Sequence, residues 1–558
     1  MAALRARLVE FIGASHTRLC AALVLLSLAC FLPGFASLQP MDRDEPRYAQ
    51  ASKQMLESGD FVDIRFQDEA RHKKPVGIYW MQSAAVALGD ALGVQDALTT
   101  IALYRLPSLF GAIATVLLTY WAALSFLSRR GAFLAAALMA ASVILLVEAR
   151  LAKTDAVLTA CIVAVMGGLA RTYLRRDALA SLPRPDLGIL WTGLALGILI
   201  KGPLILMVVG LTALVLSVRE RSARWLLAAR PKEGAIFTFA VVLPWFVAIA
   251  LKSGGAFFAA SVGHDMLGKI GTAQTYHWAP PGYYLAAFFG TFWPGAALAA
   301  IAAPFAWLNR RDDLVAFALA WIVPSWLVFE AVPTKLPHYV MPLYPAVAIL
   351  TVMAIERGFL TPRRPAATPV ALLIPFIPAA LTVGLAAAGW VLDRIVPFTA
   401  LPFLIAATAV SVFAWRLFAK GQVTRSALFG VAASPVLAIG VFGFAQGDLR
   451  SLKISPRLAE AVHAMPCETP RVATLGYREP SLVFLAGTGL EMLESGLEAA
   501  AFLHSASCGM VFVESRFEEA FRAEAKRLEI VPALSTRVTG FNINGGRRLD
   551  IGAYAVSQ

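Results

Sequence analysis

The sequence predicts a polytopic, mainly α-helical membrane protein that ends in a small α/β domain. Three observations carry that reading. Apolar residues fill 58% of the 558 positions and charged residues only 15%, where soluble domains run about 45–50% apolar and about 25% charged. The mean hydropathy is +0.67. Thirteen apolar runs, most near the length a bilayer demands, are spaced between residues 18 and 446, and a more polar stretch, 447–558, follows them.

The runs fall near 18–37, 104–127, 131–148, 154–174, 187–201, 203–218, 234–251, 281–307, 313–331, 338–356, 367–391, 396–415 and 426–446. The first is long enough to cross, and no clear small-x-small cleavage site ends it, so it reads as a retained anchor. Between the fifth and sixth, Lys201-Gly202-Pro203 signals a reversal or a broken helix. The stretch 75–89 is shorter, amphipathic and begins at a proline, which suits a helix lying along the interface. Charge supports this. If 75–89 does not cross, Arg129/Arg130, Arg171/Arg175/Arg176, Arg219/Arg221, Arg310/Arg311, Arg357/Arg363/Arg364 and Arg416/Lys420 all fall inside, as positive-inside topology requires. Making it cross inverts every one of them.

On that topology residues 1–446 form the membrane domain, with 38–103 as its first external loop, and the domain 447–558 is external too. Runs such as Arg471-Val-Ala-Thr-Leu and Gly509-Met-Val-Phe-Val read as its strands. The formal charge of +13 sits in short clusters between apolar runs, not in an arm or stripe, so nucleic acid is not the expected partner. Cys20, Cys30 and Cys161 lie in apolar runs as packing residues. Cys467 and Cys508 could pair if the tail faces an oxidising compartment, which spacing leaves open.

The chemistry-bearing residues gather on the outer side. Met41-Asp42-Arg43-Asp44-Glu45-Pro46-Arg47-Tyr48 packs acid, base and aromatic residues against a membrane, where they are costly without pairing or ligand. The stretch Asp60 to Arg71 reads as a solvated loop with internal salt bridges. Lys73-Lys74-Pro75 abuts the interfacial segment. Glu148, Arg150, Lys153 and Asp155 flank two spans, and Asp155 can cap the helix it opens. Lys201, Lys335 and His338-Tyr339 sit at two further outer ends. His264-Asp265 in the loop 252–280 could be half of a metal site or simply hydrogen-bonded loop residues. Cations and carboxylates converging from five segments suit an anionic lipid-phosphate substrate: Lys and Arg hold the phosphate and stabilise it as it leaves, while a carboxylate serves as general base.

Asp44-Glu45-Pro46-Arg47-Tyr48-Ala49-Gln50, then Gln54-Met55-Leu56-Glu57-Ser58-Gly59-Asp60, then Lys74-Pro75 with Tyr79-Trp80, closely resembles the start of the aminoarabinose (lipid A) transferase family. These are polyprenyl-phosphate-sugar-dependent GT-C glycosyltransferases, with protein O-mannosyltransferases as relatives. Lys201-Gly202 matches part of that family's Thr-Lys-Gly motif, and Lys335-Leu336-Pro337-His338-Tyr339 looks like its Lys-Leu-Pro-x-Tyr segment. The resemblance implies a GT-C fold with thirteen spans and an external C-terminal domain. It also implies inverting sugar transfer from a polyprenyl-phosphate donor to a lipid or glycan acceptor, on the outer face of a bacterial inner membrane. By position, Asp44 is its key acid with Glu45 beside it, and Asp155 is the second pocket acid. Arg47, Lys74 and Lys201 would bind the donor phosphate; Tyr48, Lys73 and Lys335 are further candidates beside it, and His264, His338 and Tyr339 are candidates for the pocket lining.

One departure stands out. The family has Glu before its Lys-Pro, associated with a metal together with a loop histidine, whose counterpart here is His264. This chain has Lys73 at the Glu position. Trading a carboxylate for an ammonium removes a ligand and adds repulsion, so no metal or other cofactor is expected to be required. An added lysine also disfavours a cationic aminosugar, leaving a uronic acid or neutral hexose as donor sugar. Lipid A, core oligosaccharide and protein Ser/Thr remain open as acceptors. A transporter of polyprenyl-linked sugars would call for paired broken spans and repeated halves, whereas one break and no repeat are found.

Overall fold

The computed structural model describes residues 15–41, 43–178, 181–261, 263 and 278–556. All thirteen apolar runs are helical, and eight of the helices are by themselves long and apolar enough to cross a membrane. The others are shorter or broken. Residues 131–148 divide at Ser142 into Arg129–Ala141 and Val143–Glu148. Residues 281–307 divide into Tyr283–Thr291 and Ala296–Leu308. Arg184–Lys201 and Leu204–Glu220 are separated at Gly202-Pro203. The interfacial stretch forms a helix, Gly77–Ala91, which is not among the eight.

Charged loops expected on one side do meet at one end of the bundle. Arg176 pairs with Asp313 at 2.6 Å and Glu220 at 3.3 Å, Arg219 with Asp313 at 2.8 Å, and Arg357 with Asp312 at 2.9 Å. The acids and bases of the expected site lie at the other end. Helix Asp155–Leu174 is buried along nearly its whole length, packed against Ile101–Ala123 and Arg184–Lys201, so it anchors what sits at its tip.

Beyond the last apolar helix, Val423–Asp448, the tail is the expected α/β domain. Two short strands in the segment 38–103, β1 (Arg65–Phe66) and β2 (Glu69–Ala70), form a hairpin. The tail contributes β3 (Arg471–Leu475), β4 (Glu491–Leu493), β5 (Gly509–Glu514), β6 (Pro532–Asn542) and β7 (Arg547–Val556), in the order β4-β3-β5-β7-β6. β3 is parallel to β4 and β5, and β7 is antiparallel to β5 and β6. Side chains alternate across the sheet: Met510 and Phe512 of β5 face one core, Val511 and Val513 the other. Cys467 and Cys508 form a disulfide.

The tail domain rests on the segment 38–103. Phe484 packs against Ala49, Val86 and Tyr104, and its carbonyl accepts from Lys53 Nζ at 3.3 Å. Gln67 Nε2 donates to the carbonyls of Thr488 and Leu490 at 3.1 and 2.7 Å. The loop is thus clamped between the bundle and the domain.

Candidate active site

Asp44 and Glu45 occupy the first turn of helix Asp44–Ser58, where the unpaired amides and the helix dipole favour carboxylates. The helix ends at Gly59 in the left-handed region, φ 71°. One residue apart, the two acids point to different partners.

The sequence reading groups Glu45 with Asp44 as reacting acids, and here the structure corrects it. Glu45 is fully buried and bidentate with Arg105, Oε1 to Nε at 2.7 Å and Oε2 to Nη2 at 3.1 Å. Its oxygens also accept from the amides of Met41 at 2.5 Å and Ala152 at 3.0 Å. Arg105 spends its remaining donors on the carbonyls of Phe35, Leu38 and Gln39 at 2.8–2.9 Å, so all five N–H groups of its fork are used. This pair ties the first loop to two membrane helices and holds the helix that presents Asp44.

Asp44 faces the cations. Burial would raise its pKa, but Lys153, Arg71 and Arg47 together outweigh burial and hold the carboxyl below the usual carboxylate range; His338 lies near it as well. An ionised carboxylate at this position can accept a proton. Tyr48 is buried, its ring 5.4 Å from that of Tyr79 and under the Arg71 guanidinium at 5.0 Å.

Behind Asp44 lies a buried network of acids and bases. Asp155, at the tip of its helix, has Oδ1 2.5 Å from Lys201 Nζ and Oδ2 3.7 Å from His338 Nε2. Glu148 Oε1 lies 3.4 Å from Lys153 Nζ and 3.4 Å from His338 Nδ1. Lys201 also lies 5.4 Å above the Tyr339 ring. It is the last residue of its helix, and the turn after it needs Gly202 at φ 62°, ψ −132°, a region left-handed in φ that L side chains resist. Pro75 packs beside that glycine, bringing the Lys74-Pro75 end of the first loop to the same corner.

The structure therefore gathers Asp44, Arg47, Tyr48, Asp155, Lys201, His338 and Tyr339 in one place. Lys74 is half-buried at its edge. Lys335 is buried, but its ammonium donates to the Val332 carbonyl at 2.7 Å, which makes it a cap of that turn. Lys73 has an exposed side chain, and its carbonyl accepts from Ser261. His264 lies outside the described residues.

Arg71 escaped the sequence reading, which places it in a solvated loop. It is only 7% exposed. The β1–β2 hairpin turns the chain back, and the Arg71 amide donates to the Ile64 carbonyl at 2.7 Å. Next to it, His72 Nε2 meets Asp63 Oδ1 at 2.7 Å. The one available signal was the run of four basic residues, Arg71-His72-Lys73-Lys74, ahead of a proline. Glu479 of the tail domain was also missed: it lies 3.6 Å from Arg43 and attracts Arg47.

At the position where the resembled family associates a metal with Glu, an exposed ammonium offers no lone pair, so this donor set does not fit. Among the described residues one acid and imidazole group, Glu148, Asp155 and His338, brings its ligand atoms within 4.8 Å of one another. Lys153 and Lys201 already lie against its two carboxylates, at 3.4 Å from Glu148 and 2.5 Å from Asp155.

The family model for dolichyl-phosphate-mannose-protein mannosyltransferase matches residues 37–255. The chain is 27% identical over 311 residues to the undecaprenyl phosphate-α-4-amino-4-deoxy-L-arabinose arabinosyl transferase of Erwinia tasmaniensis, covering 55% of this chain and 54% of that protein. Its counterpart in Pseudomonas aeruginosa is 30% identical over 313 residues, with the same coverage. The chain thus spans about half the length of the curated relatives it matches. Among solved structures, ArnT from Cupriavidus metallidurans in the apo state superposes with a TM-score of 0.72 at 18% identity, covering 99% of this chain and 98% of that one. The form bound to undecaprenyl phosphate gives 0.70 at 19% identity, covering 96% and 98%. In sequence over about half its length, residues 37–255 among it, and in fold over nearly its whole length, the chain is similar to the GT-C glycosyltransferases of the aminoarabinose transferase and protein mannosyltransferase kind.

Proposed function

We propose that this protein is a multi-pass inner-membrane glycosyltransferase that moves a sugar from a polyprenyl-phosphate donor to an envelope glycolipid or glycan on the outer face. The observation that carries the reading is the placement of Asp44: a carboxyl whose pKa Lys153, Arg71 and Arg47 hold down against burial, at the end of a helical bundle opposite the basic loops. The relatives named for undecaprenyl-phosphate-linked donors, and the fold shared with a structure bound to undecaprenyl phosphate, support the donor class.

In this reading the donor phosphodiester sits against Arg47, Lys74 and Lys201, with Asp155 orienting the Lys201 ammonium. An acceptor hydroxyl attacks the anomeric carbon from the face opposite the phosphate. The new C–O bond forms as the bond to the phosphate oxygen breaks, and polyprenyl phosphate leaves with the electron pair. Asp44 takes the hydroxyl proton, and the cations stabilise the charge that develops on the leaving oxygen. No metal is assigned a role. A single displacement inverts the anomeric configuration, so NMR of the product glycoside tests it: inversion is expected, and retention would exclude this route.

Transfer onto protein Ser or Thr is the second reading, favoured by the match of residues 37–255 to the protein mannosyltransferase model. Asp44 would serve the same purpose there.

A further inference from the structure

We infer that Arg71 is a second guanidinium of the donor site, paired by an oxyanion of the donor: its phosphodiester or a carboxylate on its sugar. The inference rests on the donor reading above and goes beyond it in naming the group that Arg71 recognises.

Arg71 is nine-tenths buried, yet its Nε has no hydrogen-bond partner among the described residues. A guanidinium hydrogen shielded from water and left unpaired is costly, and a side chain in that condition is built for something that arrives. Its position is fixed by the protein. The amide is tied to Ile64, the guanidinium lies over the Tyr48 ring, and the Tyr79 phenol lies against it.

Glu45 answers Arg105, Glu148 answers Lys153, and Asp155 answers Lys201. Asp44 remains, near both Arg47 and Arg71, which repel each other, and of the two guanidiniums Arg47 is also attracted by Glu479. Arg71 thus has a donor to spare, and the planar fork of Arg suits a phosphate or carboxylate with two oxygens to offer. Arg71 lies three residues before Lys74, one of the expected phosphate ligands, and acts electrostatically on Asp44.

The test uses the full-length protein in nanodiscs and three probes: undecaprenyl phosphate, the same lipid phosphate carrying a neutral hexose, and one carrying a hexuronic acid. Binding is measured by native mass spectrometry for wild type and Arg71→Gln. We expect Arg71→Gln to weaken at least one probe tenfold or more. Loss with bare undecaprenyl phosphate assigns Arg71 to the phosphate, and loss confined to the hexuronate assigns it to the sugar carboxylate. Wild-type binding that the variant leaves within twofold for all three overturns the inference alone. Wild type that binds none of them overturns the donor reading as well. Should the variant fail to fold, protection of Arg71 in wild type from phenylglyoxal, mapped by peptide mass spectrometry, takes its place. Protection by a probe supports the inference, and no protection by any probe overturns it.

Discussion

Lys201 Nζ stands 2.5 Å from Asp155 Oδ1, both largely buried, one at the end of a membrane helix and the other at the beginning of its neighbour. An ion pair so placed holds two helix tips at a fixed separation and keeps an ammonium aimed at the site. Removing one partner of a buried pair typically costs about 3–5 kcal/mol, because the other charge is stranded. Asp155→Ala should therefore destabilise the protein by about that much, and the Asp155→Ala/Lys201→Ala double variant by less than the sum of the singles. Thermal unfolding in detergent measures both, and additive losses would mean that the pair is not coupled.

Glu45 and Arg105 should matter for stability and for access to Asp44 without touching substrate. Arg105→Ala leaves Glu45 buried without its ion-pair partner and frees the carbonyls of Phe35, Leu38 and Gln39. The expected cost is about 3–5 kcal/mol, with the loop 38–103 opening first. Limited proteolysis reads this directly: cleavage should move into that loop. Arg105→Lys should rescue only in part, since an ammonium cannot reproduce the bidentate fork.

In the tail domain, Glu518 is bonded by Tyr554, Arg537 and Arg522, which hold its pKa at about 2, below its ordinary value of 4.5, against the opposing effect of burial. A carboxylate with a depressed folded pKa stabilises the fold above its unfolded value, and this stability is lost as pH falls toward the folded one. The domain should therefore lose protection between about pH 4.5 and pH 2, and Glu518→Gln should flatten that part of the profile. Hydrogen exchange of β6 and β7 across this range is the measurement. An unchanged slope in the variant would remove Glu518 from the account.

Much of this was legible in the sequence because the bilayer makes simple demands. Span length and positive-inside charge located the helical runs and collected the basic loops at one end. Period-two alternation marked β3 and β5. Asp44, Arg47, Asp155 and Lys201 were visible because charged residues beside apolar runs are rare. What stayed hidden depended on pairing across long separations. Nothing in the neighbourhood of Glu45 says that Arg105, sixty positions on, absorbs its charge, or that Lys335 spends its ammonium on a carbonyl. Arg71 looks like a solvated residue until the hairpin folds it inward. Cys467 and Cys508 could be judged only once the turns leading into β3 and β5 lay together.

The central claim is that Asp44 carries a glycosyl transfer. The most direct measurement is mass spectrometry of envelope glycolipids from a deletion strain complemented with wild type or with Asp44→Asn. The account predicts that one defined sugar mass disappears on deletion and returns only with wild type. Full restoration by Asp44→Asn, or glycolipids and glycoproteins unchanged by the deletion, would contradict it.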